Sequence, residues 1–210
     1  MTTRLEARPI HPVPGFGTGA FRELGIYVDE AFLPPALCRD LAAATRATGK
    51  VEPAGVHTQA RDYVDEGFRR TKAVQLAKPL RQAVMQRFEQ ARPDVARHFG
   101  IPLSGAEIPQ FLRYGAGDFF KTHRDSGHGE YAARRVSAVV FLNDPCAQGG
   151  GYAGGELKLY GLLKGEPWAR VGLPVAPGAG LLVAFPANIA HEVGPVTAGE
   201  RLTVVTWFHA

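Results

Sequence analysis

The chain has 210 residues, of which 45% are hydrophobic and 21% charged, and it contains 25 Gly, 16 Pro and 2 Cys. This length can bury one large core, whereas the apolar runs are too short to cross a bilayer and the first residues lack the apolar stretch of a signal peptide. Two Cys are too few for a disulfide framework or a Cys-rich zinc site, so we expect a soluble, cytoplasmic protein with no membrane attachment.

The net charge of +4 comes from one stretch of the chain. Residues 61–100 contain nine Lys or Arg and five Asp or Glu. Because acidic residues are interleaved with the basic ones, this composition favours a solvated helix face over a nucleic-acid-binding surface. Nucleic acid is therefore not the expected partner.

The first fifty residues predict an arm, a strand and a helix. Residues 1–20 are rich in Pro and Gly and predict an irregular arm, and residues 24–32 have strand-like content. Pro34 and Pro35 predict a helix start, since Pro in a first helical turn loses no hydrogen bond. The helix formers in residues 36–47 extend it.

A second helix is predicted over residues 78–91, where apolar side chains recur in steps of four on one face. Pro93 is expected to end that helix and to begin a short turn that finishes at Gly100. Between the two helices, residues 61–71 are polar and contain Gly, which is typical of a mobile loop that covers a substrate.

The pattern changes after Gly100. Short segments rich in β-branched and aromatic residues alternate with Gly- and Pro-rich turns, at residues 107–114, 136–143, 155–160, 180–186, 191–196 and 202–208. Without helices between them, these segments predict an antiparallel sandwich or barrel. We therefore expect one α+β domain over residues 1–210, mostly β with N-terminal helices, in which residues 1–100 form a helical support region for a β core at 101–210.

A candidate metal site begins at His123-Arg124-Asp125. On extended backbone, residues i and i+2 face the same side, so His123 and Asp125 could reach one ion. His191, after a buried-strand pattern, is the best candidate for a third ligand, with His128 as a weaker competitor. Two His and one carboxylate form the facial triad of non-haem Fe(II) oxygenases, although zinc hydrolases use similar ligands.

Arg201 helps to separate these two alternatives. Strand alternation places Arg201 on the same face as Thr203, Val205 and Trp207, where a buried guanidinium needs an anionic partner. Its planar fork suits a carboxylate that binds through both oxygens. The partner is either a dicarboxylate cosubstrate beside the metal or an internal Asp or Glu.

The order of motifs resembles one known family. The motifs are Arg113-Tyr114, His123-x-Asp125, Gly154-Gly155-Glu156-Leu157, Phe185-Pro186, His191-x-Val193-x-Pro195-Val196, Gly199-x-Arg201 and Trp207. This combination resembles the Fe(II)/2-oxoglutarate-dependent dioxygenases, and within them the prolyl 4-hydroxylase-like branch. The resemblance is strongest over residues 107–208. It is fainter upstream, where residues 28–41 and Arg69-Arg70-Thr71 are also similar to that branch.

The resemblance implies a double-stranded β-helix, or jelly roll, that binds Fe(II) through His123, Asp125 and His191. It also implies 2-oxoglutarate as cosubstrate, with its far carboxylate on Arg201 and help from Tyr114. Further pocket residues suggested by position are Asn143, Val193 and Trp207. The implied reaction consumes O2, hydroxylates a C–H bond and yields succinate and CO2, with ascorbate as the expected reductant.

The substrate implied by the resemblance is a protein or peptide residue, and a free amino acid or other small molecule is the alternative. Collagen-type members often have Lys where Arg201 stands, which argues against a collagen-like substrate. Nucleic-acid demethylases of the superfamily typically carry a second Arg at the position of Trp207. The hypothesis from another class is a non-catalytic metal-binding jelly roll that acts as a sensor or scaffold.

Overall fold

A computed structural model describes residues 15–57, 62–63, 65–127, 129–145 and 151–210. Its α-helices are α1 (Thr18–Glu23), α2 (Pro35–Ala47) and α3 (Lys78–Phe99), and short 3-10 turns lie at Gly129–Ala133 and Trp168–Arg170. The strands are β1 (Tyr27–Asp29), β2 (Val51–Pro53), β3 (Val56–His57), β4 (Asp62–Tyr63), β5 (Arg69–Arg70), β6 (Lys72–Val74), β7 (Gly105–Ala106), β8 (Gln110–Tyr114), β9 (Phe119–His123), β10 (Arg134–Phe141), β11 (Tyr152–Gly154), β12 (Leu157–Leu159), β13 (Leu173–Pro174), β14 (Leu182–Pro186), β15 (His191–Val193), β16 (Val196–Gly199) and β17 (Arg201–His209).

The first helices differ in part from the prediction. Helix α2 begins with Pro35 in its first turn, as expected. The arm predicted over residues 1–20 is wrong where the structure describes it, because α1 starts at Thr18 and buries Phe21. Residues 1–14 lie outside the described part of the chain.

Helix α3 runs without a break through Pro93, so the predicted stop there is wrong. A proline inside a helix costs about 3 kcal/mol because it removes a backbone hydrogen bond and crowds the preceding turn. Val84 and Phe88 before the proline and Val95 after it are fully buried in one core, and this packing offsets that cost. The helix ends at Phe99, and Gly100 caps it in a left-handed conformation. Gly100 thus ends the helix itself, and not a separate short turn as predicted.

The larger sheet has the strand order β1-β14-β10-β17-β8-β6-β2, with β7 also paired to β17. All of these pairings are antiparallel. The register aligns Arg201 with Tyr114 and Trp207 with Ser137. Three of its strands, β1, β2 and β6, come from the first hundred residues, where the sequence had predicted only one.

The smaller sheet has the order β13-β12-β15-β9-β5, and two further pairs are β11-β16 and β3-β4. Its register places His191 of β15 opposite His123 of β9. Strand β9 was not among the predicted strands, but it supplies the extended backbone that the His-x-Asp argument required. The two facing sheets form the expected jelly roll.

Two main hydrophobic layers hold this arrangement. One face of the larger sheet packs on α2 and α3 through Leu41, Phe88 and Phe208. Its other face packs on the smaller sheet through Phe141, Leu159 and Phe185. No helix in the described part of the chain is long and apolar enough to span a membrane.

Candidate metal and cosubstrate site

The structure brings the three predicted metal ligands together between the two sheets. One potential ligand atom from each of His123, Asp125 and His191 lies within 4.8 Å of the others. His123 Nε2 is 3.6 Å from Asp125 Oδ1, and His191 Nε2 is 3.4 Å from Asp125 Oδ2. The two imidazoles come from paired positions on neighbouring strands, which explains their proximity.

Hydrogen bonds orient these side chains. Each histidine places Nδ1 near the backbone oxygen two residues earlier, at 2.8 Å from Lys121 O for His123 and at 3.0 Å from Ile189 O for His191. A carbonyl oxygen only accepts, so Nδ1 carries the proton and Nε2 is available to a metal. The Ser137 hydroxyl donates to Asp125 Oδ2 at 2.6 Å.

The ionisation of the cluster also suits a cation. Burial raises the pKa of Asp125, but the adjacent His191 and His123 imidazoles and the Ser137 hydroxyl outweigh burial and hold it well below its usual range. Burial lowers the pKa of His191, although Asp125 acts in the opposite direction. The lowered pKa values of Asp125 and His191 favour an ionised carboxylate and a neutral imidazole, the forms in which these two groups bind a divalent metal.

Arg201 lines the same cavity as the three candidate metal ligands. It is 1% exposed, and its guanidinium carbon is 5.3 Å from the Tyr114 ring centroid and 5.1 Å from that of Phe141. Nη1 has a long contact of 3.5 Å to Thr203 Oγ1, whereas Nε and Nη2 have no hydrogen-bond partner among the described residues. Such a buried guanidinium is incomplete without an anion.

The cavity that contains both groups has a volume of about 440 Å³. Tyr114, Val193 and Trp207 line it, as the sequence suggested. Asn143 has a different environment, because its amide donates to Glu200 O at 2.8 Å and accepts from Leu202 N at 2.9 Å, which braces the start of β17. His128, the competing ligand, lies outside the described residues.

Comparisons with known proteins agree with this geometry. A family model of the 2OG-Fe(II) oxygenase superfamily matches residues 109–209. A solved prolyl-4-hydroxylase of Pseudomonas putida superposes with a TM-score of 0.67 at 27% identity, covering 88% of this chain and 92% of that one. The β core of the chain, residues 109–209, is thus that of the 2OG-Fe(II) oxygenase superfamily. Within it, the likeness is to the prolyl 4-hydroxylase-like branch.

Two curated relatives of this superfamily member are named PKHD-type hydroxylases. The protein of Burkholderia ambifaria is 32% identical over 152 residues, which are 68% of this chain and 61% of that protein. The protein of Rhizorhabdus wittichii is 36% identical over 108 residues, which are 49% of this chain and 43% of that protein. The chain therefore spans less than two thirds of the length of these relatives.

The superfamily implies Fe(II) and 2-oxoglutarate, and the residues present fit both. Two imidazoles and one carboxylate on one side of an ion are the ligands of non-haem Fe(II) oxygenases. The two orphaned nitrogens of Arg201 fit the far carboxylate of 2-oxoglutarate. The internal ion pair considered from the sequence is not found, since no described carboxylate lies within 4 Å of this guanidinium.

Three cavity residues were missed at the sequence level. Arg134 contacts Glu107 through two hydrogen bonds of 2.6 and 2.7 Å and stacks 3.6 Å from the Trp207 ring centroid. Ser137 and Arg69 also face the cavity. Ser137 could have been noticed as the one polar residue in the apolar run 136–142. Arg69 was noted only within the fainter upstream resemblance, which gave it no role.

Proposed function

We propose that this chain is an Fe(II)- and 2-oxoglutarate-dependent dioxygenase that hydroxylates a C–H bond of a protein or peptide residue. The observation that supports this most directly is the single cavity that contains both His123-Asp125-His191 and the orphaned Arg201 guanidinium. A metal site alone would fit many functions. A metal site that shares its cavity with a buried, unpaired guanidinium fits a dicarboxylate cosubstrate, which chelates the metal at one end and binds the arginine at the other.

In this proposal each side chain has a defined task. His123, Asp125 and His191 hold Fe(II), which when bound supplies the oxidative decarboxylation of 2-oxoglutarate and the oxidation of substrate. Arg201 binds the far carboxylate and thereby fixes the direction of the cosubstrate in the cavity. Tyr114 packs beside Arg201, and Ser137 orients the Asp125 carboxylate.

The walls of the cavity also limit side reactions. Leu112, Val193 and Trp207 are buried and line it. Apolar walls exclude water and so strengthen the interaction of the cosubstrate carboxylate with Arg201. The protein contributes orientation and a dry pocket, while the oxidative chemistry belongs to the bound cofactors.

The proposed substrate class rests on the resemblance to prolyl hydroxylases. The Pseudomonas putida neighbour is named a prolyl-4-hydroxylase and matches almost over its whole length. A free amino acid or other small molecule is the second candidate, because the same cavity walls could enclose it. A non-catalytic sensor is the candidate from another class, but no element of the metal and cosubstrate site is missing.

The test is the turnover of 2-oxoglutarate. The purified chain with Fe(II), O2 and 2-oxoglutarate should form succinate slowly without any substrate, and ascorbate should prolong this by re-reducing iron after unproductive cycles. Asp125→Ala serves as control. Mass spectrometry of peptide and amino-acid pools should then show the gain of one oxygen in the true substrate. If the wild type, with metal bound, gives no more succinate than Asp125→Ala, the non-catalytic function is favoured.

A further inference from the structure

Another arginine faces the cavity, and the metal and cosubstrate roles proposed above do not use it. Arg69 of β5 is 7% exposed and lines the cavity with the metal cluster. Its guanidinium carbon lies 4.5 Å from the ring centroid of Phe120, and that ring stacks on His123 at 3.5 Å. Arg69 is therefore separated from a candidate metal ligand by one aromatic ring.

The guanidinium of Arg69 is held in place but only partly satisfied. Nη1 donates to Gly55 O at 2.8 Å, whereas Nε is buried without a hydrogen-bond partner. Burial lowers the pKa of Arg69, whereas the charges of Tyr114 and Asp125 and a side-chain hydrogen bond with Tyr114 act in the opposite direction. Among the side chains that the structure describes, no carboxylate lies within 4 Å of it. Such a buried cation is costly unless an anion binds to it.

The charges around the cavity indicate where that anion comes from. Glu107 neutralises Arg134, and Arg201 is assigned to one carboxylate of 2-oxoglutarate. A divalent metal, Asp125 and the two cosubstrate carboxylates then balance Arg201 without using Arg69. Arg124, exposed on the cavity lining, adds another positive charge. The loaded cavity thus keeps an excess of positive charge beside the metal cluster.

We propose that Arg69 binds a carboxylate of the substrate, so that the substrate of this chain is an anion whose carboxylate lies near the carbon that is hydroxylated. This inference rests on the proposed function, because it assigns both carboxylates of 2-oxoglutarate elsewhere. The carboxylate comes either from the main-chain terminus of an amino acid or peptide, or from an Asp or Glu side chain. In both cases Arg69 selects the substrate through a charge-assisted hydrogen bond from its guanidinium.

Ligand-observed NMR with the Mn(II)- and 2-oxoglutarate-loaded protein, without O2, tests this inference. The probes are pools of N-acetylated amino acids and dipeptides, each prepared as the free acid and as the C-terminal amide. Amidated members with Asp or Glu separate the side-chain source from the main-chain source. We expect the wild type to bind some members with a carboxylate and not their uncharged counterparts.

Variants then assign the selectivity to one side chain. Arg69→Gln should weaken binding of the selected acid by about 10- to 100-fold, the loss typical of one charge-assisted hydrogen bond. Arg69→Lys should retain part of the selectivity. Arg70→Gln is the matched control, because Arg70 is adjacent but exposed and lies over Phe119. The affinity for 2-oxoglutarate should be the same in all of them.

Three results would overturn the inference. The first is equal binding of acids and amides by the wild type, and the second is no binding of any pool member. The third is a tenfold or larger loss of 2-oxoglutarate affinity in Arg69→Gln, because that loss would assign Arg69 to the cosubstrate. The wild-type comparison needs no variant, so misfolding of Arg69→Gln leaves the test intact. Acid selectivity without succinate formation would instead contradict the proposed function and leave the carboxylate site standing.

Discussion

The side chains of the candidate metal cluster are oriented by neighbours close in the chain. Both imidazoles bond to a carbonyl two residues earlier, and Ser137 bonds to Asp125 from the adjacent sheet. Such outer contacts determine the tautomer and the direction of the ligand atoms. The metal geometry therefore depends on the strands β9, β10 and β15 as much as on the ligands themselves.

His191 is the ligand whose removal is most informative. His191→Ala leaves one imidazole and one carboxylate, so we expect the loss of stoichiometric Fe(II) or Mn(II) binding in equilibrium dialysis with metal analysis. His98→Ala is the control, because His98 lies on α3 and bonds to Gly25 O at 3.1 Å. Full metal occupancy in His191→Ala together with its loss in His128→Ala would show that the third ligand has been misassigned.

Arg201 can be tested through cosubstrate affinity. Arg201→Ala leaves one carboxylate of 2-oxoglutarate buried and unpaired, and breaking a buried charge pair costs about 3–5 kcal/mol. The affinity for 2-oxoglutarate should fall by about two to three and a half decades. It should fall less in Arg201→Lys, which keeps the charge but not the planar guanidinium group. Metal affinity should not change. A normal rise in melting temperature on adding 2-oxoglutarate to anaerobic Mn(II)-loaded Arg201→Ala would contradict the carboxylate role.

At the scale of elements, the turn between β11 and β12 supports Arg201. Gly155 has a φ of +67°, and a Cβ there would lie 2.9 Å from both Arg201 Cδ and Val196 Cγ2. Real Cβ atoms do not approach so closely, and the buried Arg201 stem has little room to move. The motif Gly154-Gly155 is thus explained by backbone conformation and close packing.

Gly155→Ala should therefore shift the Arg201 guanidinium and weaken 2-oxoglutarate binding by about one decade, or about 1.4 kcal/mol. Gly161→Ala is the matched control, because Gly161 has a similar φ of +74° but nothing within 4 Å of an added Cβ. Both variants should lose about 1–2 kcal/mol of stability from the left-handed backbone. Equal 2-oxoglutarate affinity in the two variants, measured by calorimetry with Mn(II), would contradict this explanation.

The sequence predicted elements best where one local pattern determined them. Helix α2, with Pro35 in its first turn, and the apolar strand β10 carry strong local patterns. The sequence-based prediction failed where tertiary packing determines the secondary structure. At Pro93, for example, buried neighbouring residues keep α3 intact. Short strands such as β5 and β6 have no periodicity of their own, and form because β9 and β8 offer partners.

In the candidate site, too, the residues set by local patterns were predicted and those set by strand pairing were not. The spacing of His123 and Asp125 and the alternation around Arg201 are local features, and they were sufficient to place these residues at one cavity. The position of Arg69 depends on the pairing of β5 with β9. That pairing brings its guanidinium over the ring of Phe120, which is more than fifty residues away in sequence. The faint resemblance at Arg69-Arg70-Thr71 does not tell which of the two arginines faces the cavity, because only the strand pairing decides that.

At the scale of the whole molecule, the first hundred residues are structurally joined to the β core. Strand β1 pairs with β14, β6 with β8 and β5 with β9, so both sheets include strands from this part of the chain. One hydrophobic cluster unites α2 and α3 with the larger sheet. We therefore propose that the chain is one domain, and we expect a single cooperative unfolding transition.

Residues 101–210 alone should consequently fail to fold. Without α2 and α3, the large apolar side chains on the outer face of the larger sheet lose their cover, among them Phe111, Val136, Leu202, Val204 and Phe208. Exposing five such side chains at about 1.5–3 kcal/mol each costs about 7–15 kcal/mol, as much as the whole stability of a typical domain, about 5–15 kcal/mol. Co-expression with residues 1–100 should restore a soluble complex that binds Mn(II), since the cut follows Gly100 at the end of α3. Circular dichroism and thermal unfolding provide the measurement. If the fragment 101–210 unfolds cooperatively and binds Mn(II) on its own, the N-terminal part is dispensable for the fold.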